Sequence, residues 1–306
     1  MSSGRRPGRD VRIPALAGPT RRRRGLSLSA RFERPATLAA ATQLLAGGGW
    51  GVLAGGTDVY PAHVGRPLSR PLVDITGIDG LRGIRAGASG WTIGTATTWT
   101  DVLRAELPPL FDALKQAGRE VGGVQIQNTG TVAGNLCNAS PAADGIPVLM
   151  ALDAVVVLRS AGAERRVPAV EFVLGNRRTA CAPHELVVAL EVPVRSAQAR
   201  SWFVKLGGRR YLTISMTMVA LVLDRDAAGA IASAAIAVGS CSARARRLAA
   251  LERKLIGAPR GADLAAQVDV ADLEPLAPLD DLRASAAYRL DATATLLRRA
   301  LQELAR

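Results

Sequence analysis

Apolar residues recur at helical spacing through Leu38–Leu45, where Pro35, Ala36 and Thr37 lead in and Gly47–Gly49 stop the pattern, so a helix is predicted there. Trp50–Ala54 reads as a short apolar strand that runs straight into Gly55-Gly56-Thr57-Asp58. Leu72–Ile75 and Trp91–Ile93 read as further strands. Thr100–Glu106 and Pro108–Val121 read as helices, with Asp101 in the first turn of the former, where the helix dipole favours an acid. Residues 122–147 break this rhythm: they are rich in Gly, Asn, Thr, Ser and Ala and have little periodicity. Such a stretch is either a functional loop or a linker. A strongly apolar run, Val148–Leu158, follows at once. A linker would not lead directly into core, so 122–147 is read as a loop held against the folded domain.

Leu186–Val194 reads as a strand, Ser196–Arg200 as a connection, and a second domain is expected to start near Ser201. That domain offers strands at Leu212–Leu223 and Ile231–Val238 and a helix at Ala243–Ile256. After an Ala-, Asp- and Pro-rich region at 258–282 comes an amphipathic last helix, Ala292–Leu304. Strands and helices segregate loosely, which favours an α+β fold over a doubly wound sheet. Residues 1–30 carry few large apolar groups and read as a disordered basic tail. The division expected is therefore a tail over 1–30, one domain over 31–198 and a smaller one over 199–306.

Charge changes this picture little. The formal net charge is +13, but residues 1–31 hold nine arginines against one acid, so most of the excess lies in the tail. Arg21–Arg24 are candidates for contact with nucleic acid or an acidic surface, the plainer reading being a solvated extension or a misassigned start. Nothing in the rest of the chain interleaves basic and aromatic residues as a base-stacking platform would, so nucleic acid is not an expected partner. Only three lysines occur, Lys115, Lys205 and Lys254, in a chain that otherwise uses arginine, so each lysine is mildly informative. Cys137, Cys181 and Cys241 are too far apart in sequence for a metal or cluster site and read as buried reduced thiols. His63 and His184 are too few for a metal cluster. There is no apolar run of about 20 residues, so no membrane span is expected. No signal-peptide pattern is found, and a cytoplasmic protein is expected.

Three segments carry candidate chemistry. In Val52-Leu53-Ala54-Gly55-Gly56-Thr57-Asp58-Val59 a strand ends in two glycines, which lets backbone N–H groups approach an anion, and Thr57 adds a hydroxyl. It is neither a Walker A loop nor a dinucleotide fingerprint, and alone it is a weak signal that a plain strand-to-loop turn explains better. The second segment, Gly122–Asp144, pairs small residues with many amides and hydroxyls, and Asp144 could accept from a ribityl or ribose hydroxyl. Two such segments suit a cofactor with a long polar midsection, such as FAD; tight-turn use of Asn and Gly is the competing reading. In the third, Lys205–Ser215, a lysine among short residues precedes an apolar strand, and it either reaches an anionic ligand or is a solvated charge at a domain edge.

Gly130–Asn135 followed by Ser140–Asp144 resembles the G-T-x-G-G-N…A-x-P-x-x-D signature of the FAD subunits of molybdenum hydroxylases, the xanthine dehydrogenase and carbon monoxide dehydrogenase family. Ile93–Thr98, Lys205–Ser215, Val238–Arg247 and Ser285–Arg289 fall in matching order, so the resemblance covers 32–304. It implies a two-part FAD-binding domain of the molybdopterin dehydrogenase (PCMH-like) type followed by a smaller α+β domain. It also implies that the 52–59 turn (Val52, Leu53, Ala54, Gly55, Gly56, Thr57, Asp58 and Val59) and Thr131, Ala133, Gly134 and Asn135 hold the FAD diphosphate. Asp144 would bond the sugar or ribityl part, Val187 would line the pocket, Lys205 would lie at the cofactor and Ile214 near the flavin ring. The implied activity is an oxidoreductase relay. A molybdopterin-binding large subunit oxidises substrate, an iron–sulfur small subunit passes electrons to FAD, and the pair leaves to NAD, oxygen or a quinone.

Two positions depart from the pattern. Ala133 replaces the first glycine of Gly-Gly-Asn, and Thr213 stands where many members have Asp, which bears on the acceptor. The few cysteines argue against the branch that holds an iron–sulfur cluster in this subunit. No catalytic acid or base and no metal ligand stands out. The competing function is a self-contained FAD-dependent oxidoreductase with its own substrate pocket.

Overall fold

The computed structural model describes residues 32–305. The tail expected over 1–30, with its candidate nucleic-acid contact, lies outside the described residues. The architecture is α+β, with three main sheets and a two-stranded hairpin, Val173–Gly175 with Arg178–Thr179.

The first sheet is small and parallel. Leu72–Asp74 lies between Phe32–Glu33 and Gly51–Leu53. Helix Leu38–Ala46 makes the crossover; the Thr37 hydroxyl accepts from the Ala40 N–H at 3.2 Å to start it, and Gly48 and Gly49, at φ +76° and +77°, turn the chain out of it. Ala41 and Leu45 on this helix pack on Val73 and Ile75 from the sheet.

The second sheet is antiparallel, with spatial order Ile84–Gly87, Gly90–Gly94, Leu186–Pro193, Val155–Arg159, Glu164–Pro168. Its middle strand, Leu186–Pro193, comes last in sequence, so the chain between 95 and 154 must leave the sheet and return. It does so as helices. The stretch read from sequence as a loop over 122–147 is instead three short helices, Val124–Thr129, Val132–Asn138 and Gly145–Ala151. Gly123, Gly130 and Gly145 sit at helix ends, Gly134 and Asn135 lie within Val132–Asn138, and each helix is too short to show a repeat. Pro108–Val121 is likewise not one helix: a single tight turn at Pro109–Phe111 precedes Asp112–Glu120.

The third sheet is antiparallel: Arg200–Gly207, Ser215–Arg225, Ile231–Gly239, Arg246–Arg247. Its second strand shows why the run Met218–Leu223 is continuously apolar. Val219, Leu221 and Leu223 face Leu297, Ala300 and Leu301 of the terminal helix Ala286–Ala305. Met218, Ala220 and Val222 face the other way, into a core shared with Leu114 and Ala117 of Asp112–Glu120 and with Val148 and Leu149 of Gly145–Ala151. A strand buried on both faces loses the alternation of a half-exposed one. Each large side chain so buried contributes roughly 1.5–3 kcal/mol.

Several boundaries differ from the sequence reading. The strand expected from Leu212 begins at Ser215, the helix expected from Ala243 begins at Ala249 because 246–247 join the sheet, and the last helix begins at Ala286. Arg200–Gly207, which carries Lys205, is a sheet-opening strand, where the sequence reading had a connection at 196–200 and short residues after it.

Candidate functional site

Strand Gly51–Leu53 delivers the chain to the glycine turn at the edge of the first sheet. Gly56 has φ +70°, a conformation open to glycine, and its carbonyl accepts from the Tyr60 N–H at 3.0 Å. Gly55 is constrained differently. A Cβ on it would stand 1.8 Å from the Thr129 carbonyl oxygen and 2.9 Å from the Gly130 Cα. The first turn therefore touches the backbone of the second segment directly. Among the described residues, no acceptor takes the N–H groups of Gly55, Gly56 or Thr57. Such donors need a partner from solvent or a ligand.

The second segment forms the opposite wall. The Thr131 hydroxyl accepts from the Gly134 N–H at 2.9 Å and starts helix Val132–Asn138. Gly134 sits in that helix with no left-handed backbone, but a Cβ there would stand 2.6 Å from Thr131 Oγ1 and crowd the cap. Asn135 Oδ1 accepts from the Gly145 N–H at 3.1 Å, which ties this helix to the next.

Between the walls lies a cleft of about 720 Å³, within the ~300–1,000 Å³ of small-molecule and cofactor sites. Of the residues singled out from sequence, Val52, Ala54, Gly55, Gly56, Thr57, Asp58, Val59, Thr131, Gly134, Asn135 and Val187 line it. Leu53 and Ala133 do not: both are buried in apolar core. Ile214 is largely exposed, outside the cleft.

Asp144 and Lys205 form a separate group. Lys205 Nζ lies 2.8 Å from Asp144 Oδ2, and Ser215 donates to Asp144 Oδ1 at 3.1 Å. The side chains of the pair are 5% and 8% exposed, so Lys205 is not a solvated edge charge. Burial pushes the Asp144 carboxyl up from its ordinary value, and the Lys205 ammonium and the Ser215 hydroxyl oppose that. The pair adjoins the cleft through Gly145, which Asn135 holds. On its other side Lys205 lines a second pocket of about 600 Å³ with Arg119, Arg209 and Arg210. The Asp144 carboxylate, expected from sequence to meet a ribityl or ribose hydroxyl, is bonded within the chain to Lys205 and Ser215.

Cleft residues not singled out from sequence include Arg70, Asn138, Arg177, Cys181 and Glu185. Cys137 was expected to be buried, but its helix turns it out onto the cleft, where it is exposed; Cys181 is half-buried beside the same cleft and Cys241 is buried. Arg177 occupies a two-residue turn between strands Val173–Gly175 and Arg178–Thr179 at φ +53°, and its N–H donates at 2.9 Å to the carbonyl of Ala139, itself at φ +48°. The left-handed backbone costs an L residue roughly 1–2 kcal/mol. In an arginine-rich chain, no sequence signal set Arg177 apart. Glu185 accepts two bonds from Arg165, at 2.6 and 2.7 Å, and one from the Ala182 N–H at 2.8 Å.

Residues 28–195 match the family described as the FAD binding domain in molybdopterin dehydrogenase. The chain belongs to this family. Residues 202–304 match the CO dehydrogenase flavoprotein C-terminal domain. The glyceraldehyde dehydrogenase medium chain of Sulfolobus acidocaldarius is 30% identical, over 83% of this chain and 90% of the relative. The carbon monoxide dehydrogenase medium chain of Hydrogenophaga pseudoflava is 30% identical, over 82% and 87%. Among solved structures, reconstituted CO dehydrogenase from Oligotropha carboxidovorans is similar with a TM-score of 0.83 at 27% identity, over 90% of this chain and 98% of that one. As a member of the family the chain is an FAD-binding subunit of an oxidoreductase, and its α+β architecture is that of the carbon monoxide dehydrogenase flavoprotein. Among the described residues, no helix is long and apolar enough to cross a membrane.

Proposed function

We propose that this chain is the electron-transfer flavin subunit of a cytoplasmic molybdenum hydroxylase, working beside a molybdopterin-binding large subunit and an iron–sulfur small subunit. The observation that carries the reading is the cleft in which the 55–57 turn, with its free N–H groups, meets the 129–135 backbone. Close approach without side chains and several neutral donors are what a diphosphate requires. FAD, when bound, supplies the conversion between one-electron and two-electron transfer. The turn at 54–58, with Thr131, Gly134 and Asn135, holds the diphosphate, and Val187 lines the pocket. The chain divides into the FAD-binding part over 31–198 and the C-terminal part over 199–306. Asp144 and Lys205, bonded to each other, fix the seam between these parts and lie at the cofactor with Ile214. The relatives' names carry unlike substrates, glyceraldehyde and carbon monoxide, which supports a subunit that does not itself select the substrate. The pocket beside Lys205, where Arg119, Arg209 and Arg210 outnumber Glu120, favours an anionic acceptor, and NAD is the acceptor proposed.

Titration of the purified chain with flavins tests the first step: FAD should bind non-covalently and more tightly than FMN, and acid should release it. A chain that binds neither refutes the reading. For the acceptor, NADH should bleach the absorbance of the bound flavin, the proposed last step run in reverse. If it does not, the acceptor is not NAD.

A further inference from the structure

Two cationic side chains, Arg70 and Arg177, are among the residues that line the cleft. The guanidinium of Arg177 spans its two walls: Nη1 donates at 2.9 Å to Asp58 Oδ2 of the glycine turn and at 2.7 Å to Asn138 Oδ1 of the second segment. The Asp58 pairing raises the arginine's already high pKa, so the charge is permanent. Both bonds use one end of the group. Among the described residues, nothing accepts from Nε or Nη2. That leaves a planar two-donor edge, and such an edge matches a phosphate bidentately. The backbone points the same way. Arg177 holds a left-handed conformation at a turn where glycine would be unstrained, and this conformation puts the guanidinium across the cleft.

We propose that Arg177 is a phosphate-binding residue of this cleft, held at its Nη1 end by Asp58 and Asn138 and meeting the FAD diphosphate with its Nε–Nη2 edge. Asp58 is then a positioning residue. Its carboxylate would repel a diphosphate if left alone, and Arg177 offsets that charge while being aimed by it. The inference rests on the diphosphate lying in this cleft.

The test is titration of the full chain with FAD, at low and high salt, for wild type and for R177M, R177K, R177G and R177M/D58N. R177M should lose at least tenfold in affinity at low salt and less at high salt, because the missing contribution is electrostatic. R177K should fall between, since one ammonium cannot make the fork. R177G relieves the left-handed strain and so should fold at least as stably as wild type, yet lose affinity as R177M does. R177M/D58N should bind FAD more tightly than R177M, because the unpaired carboxylate is gone. R177M binding within threefold of wild type, or R177G keeping wild-type affinity, overturns the assignment. Gly55→Ala separates this from failure of the cleft reading. If Gly55→Ala loses FAD and R177M does not, the cleft stands and the arginine's role falls. If neither loses FAD, both fall.

Discussion

Gly55 lies so close to Thr129 that a Cβ on the glycine would stand 1.8 Å from the threonine carbonyl oxygen and 2.5 Å from its carbonyl carbon. Both atoms are backbone, so no rotamer change relieves the clash. Gly55→Ala must push the two walls of the cleft apart. The expected outcome is a destabilisation of about 1–3 kcal/mol, the range for overpacking, and at least a tenfold loss of FAD affinity. Gly87→Ala is the control: its nearest neighbour is the Gly90 carbonyl at 3.7 Å, an ordinary contact. Thermal melting and flavin titration of the two variants check this. Equal behaviour would show that the close approach is not needed.

Thr131→Ala removes the hydroxyl that takes the Gly134 N–H. Loss of such a cap costs about 1 kcal/mol, read as a lower denaturation midpoint. Because the helix is only seven residues, Val132–Asn138, its first turn should loosen and FAD affinity should fall several-fold. Thr131→Ser, which keeps the oxygen, should restore both.

The outline of the fold was legible where one physical rule acts alone. The 3.6-residue spacing of Leu38, Ala41 and Leu45 marks a helix, and the glycines after it mark its end. The glycine turn was weak as chemistry on its own, since two glycines after a strand also make a plain turn; it became legible only beside the second polar segment at 122–144. Residues 122–147 were not legible as helices, since three helices of six or seven residues each give no repeat. Lys205 was legible as unusual but not as the partner of Asp144, 61 positions away, because pairing across that distance is set by the register of the third sheet. Arg177 was illegible for a compositional reason: one arginine among so many carries no signal until its two partners are seen.

Glu185 lines the cleft and is held by Arg165, whose hydrogen bond keeps its carboxyl below the ordinary glutamate value. A depressed acid stabilises the fold above the unfolded-state value, and that contribution is lost as pH falls through the folded one. Arg165 is partly open to solvent, so the pair is worth on the order of 1 kcal/mol. Glu185→Gln should lower stability by about that much at neutral pH and make the acid limb of a stability–pH curve shallower. A variant curve parallel to wild type down to strong acid would show that the pair does not contribute.

The pair Lys205–Asp144 makes a stronger claim because both groups are nearly sealed from water. Removing one partner strands the other. Lys205→Met should cost about 3–5 kcal/mol, the range for an uncompensated buried charge. Without the ammonium, burial and the nearby Glu120 carboxylate push Asp144 up against the Ser215 hydrogen bond alone, so its folded carboxyl rises further above the unfolded value. For a raised acid, stability is fully present below the unfolded value and is lost as pH rises through the folded one. Lys205→Met should therefore be most damaging at neutral pH and progressively less so toward acid, where Asp144 takes a proton. Lys205→Met with Asp144→Asn removes both charges of the pair, and the amide can still accept from Ser215; Glu120, whose Oε2 lies 4.0 Å from Lys205 Nζ, keeps its own. That double variant should recover more than half of the loss at neutral pH and lose the pH dependence that Asp144 contributes. Denaturant unfolding of the three proteins across pH decides it. A double variant no more stable than Lys205→Met would mean that the lysine acts through packing of its aliphatic stem, not through its charge.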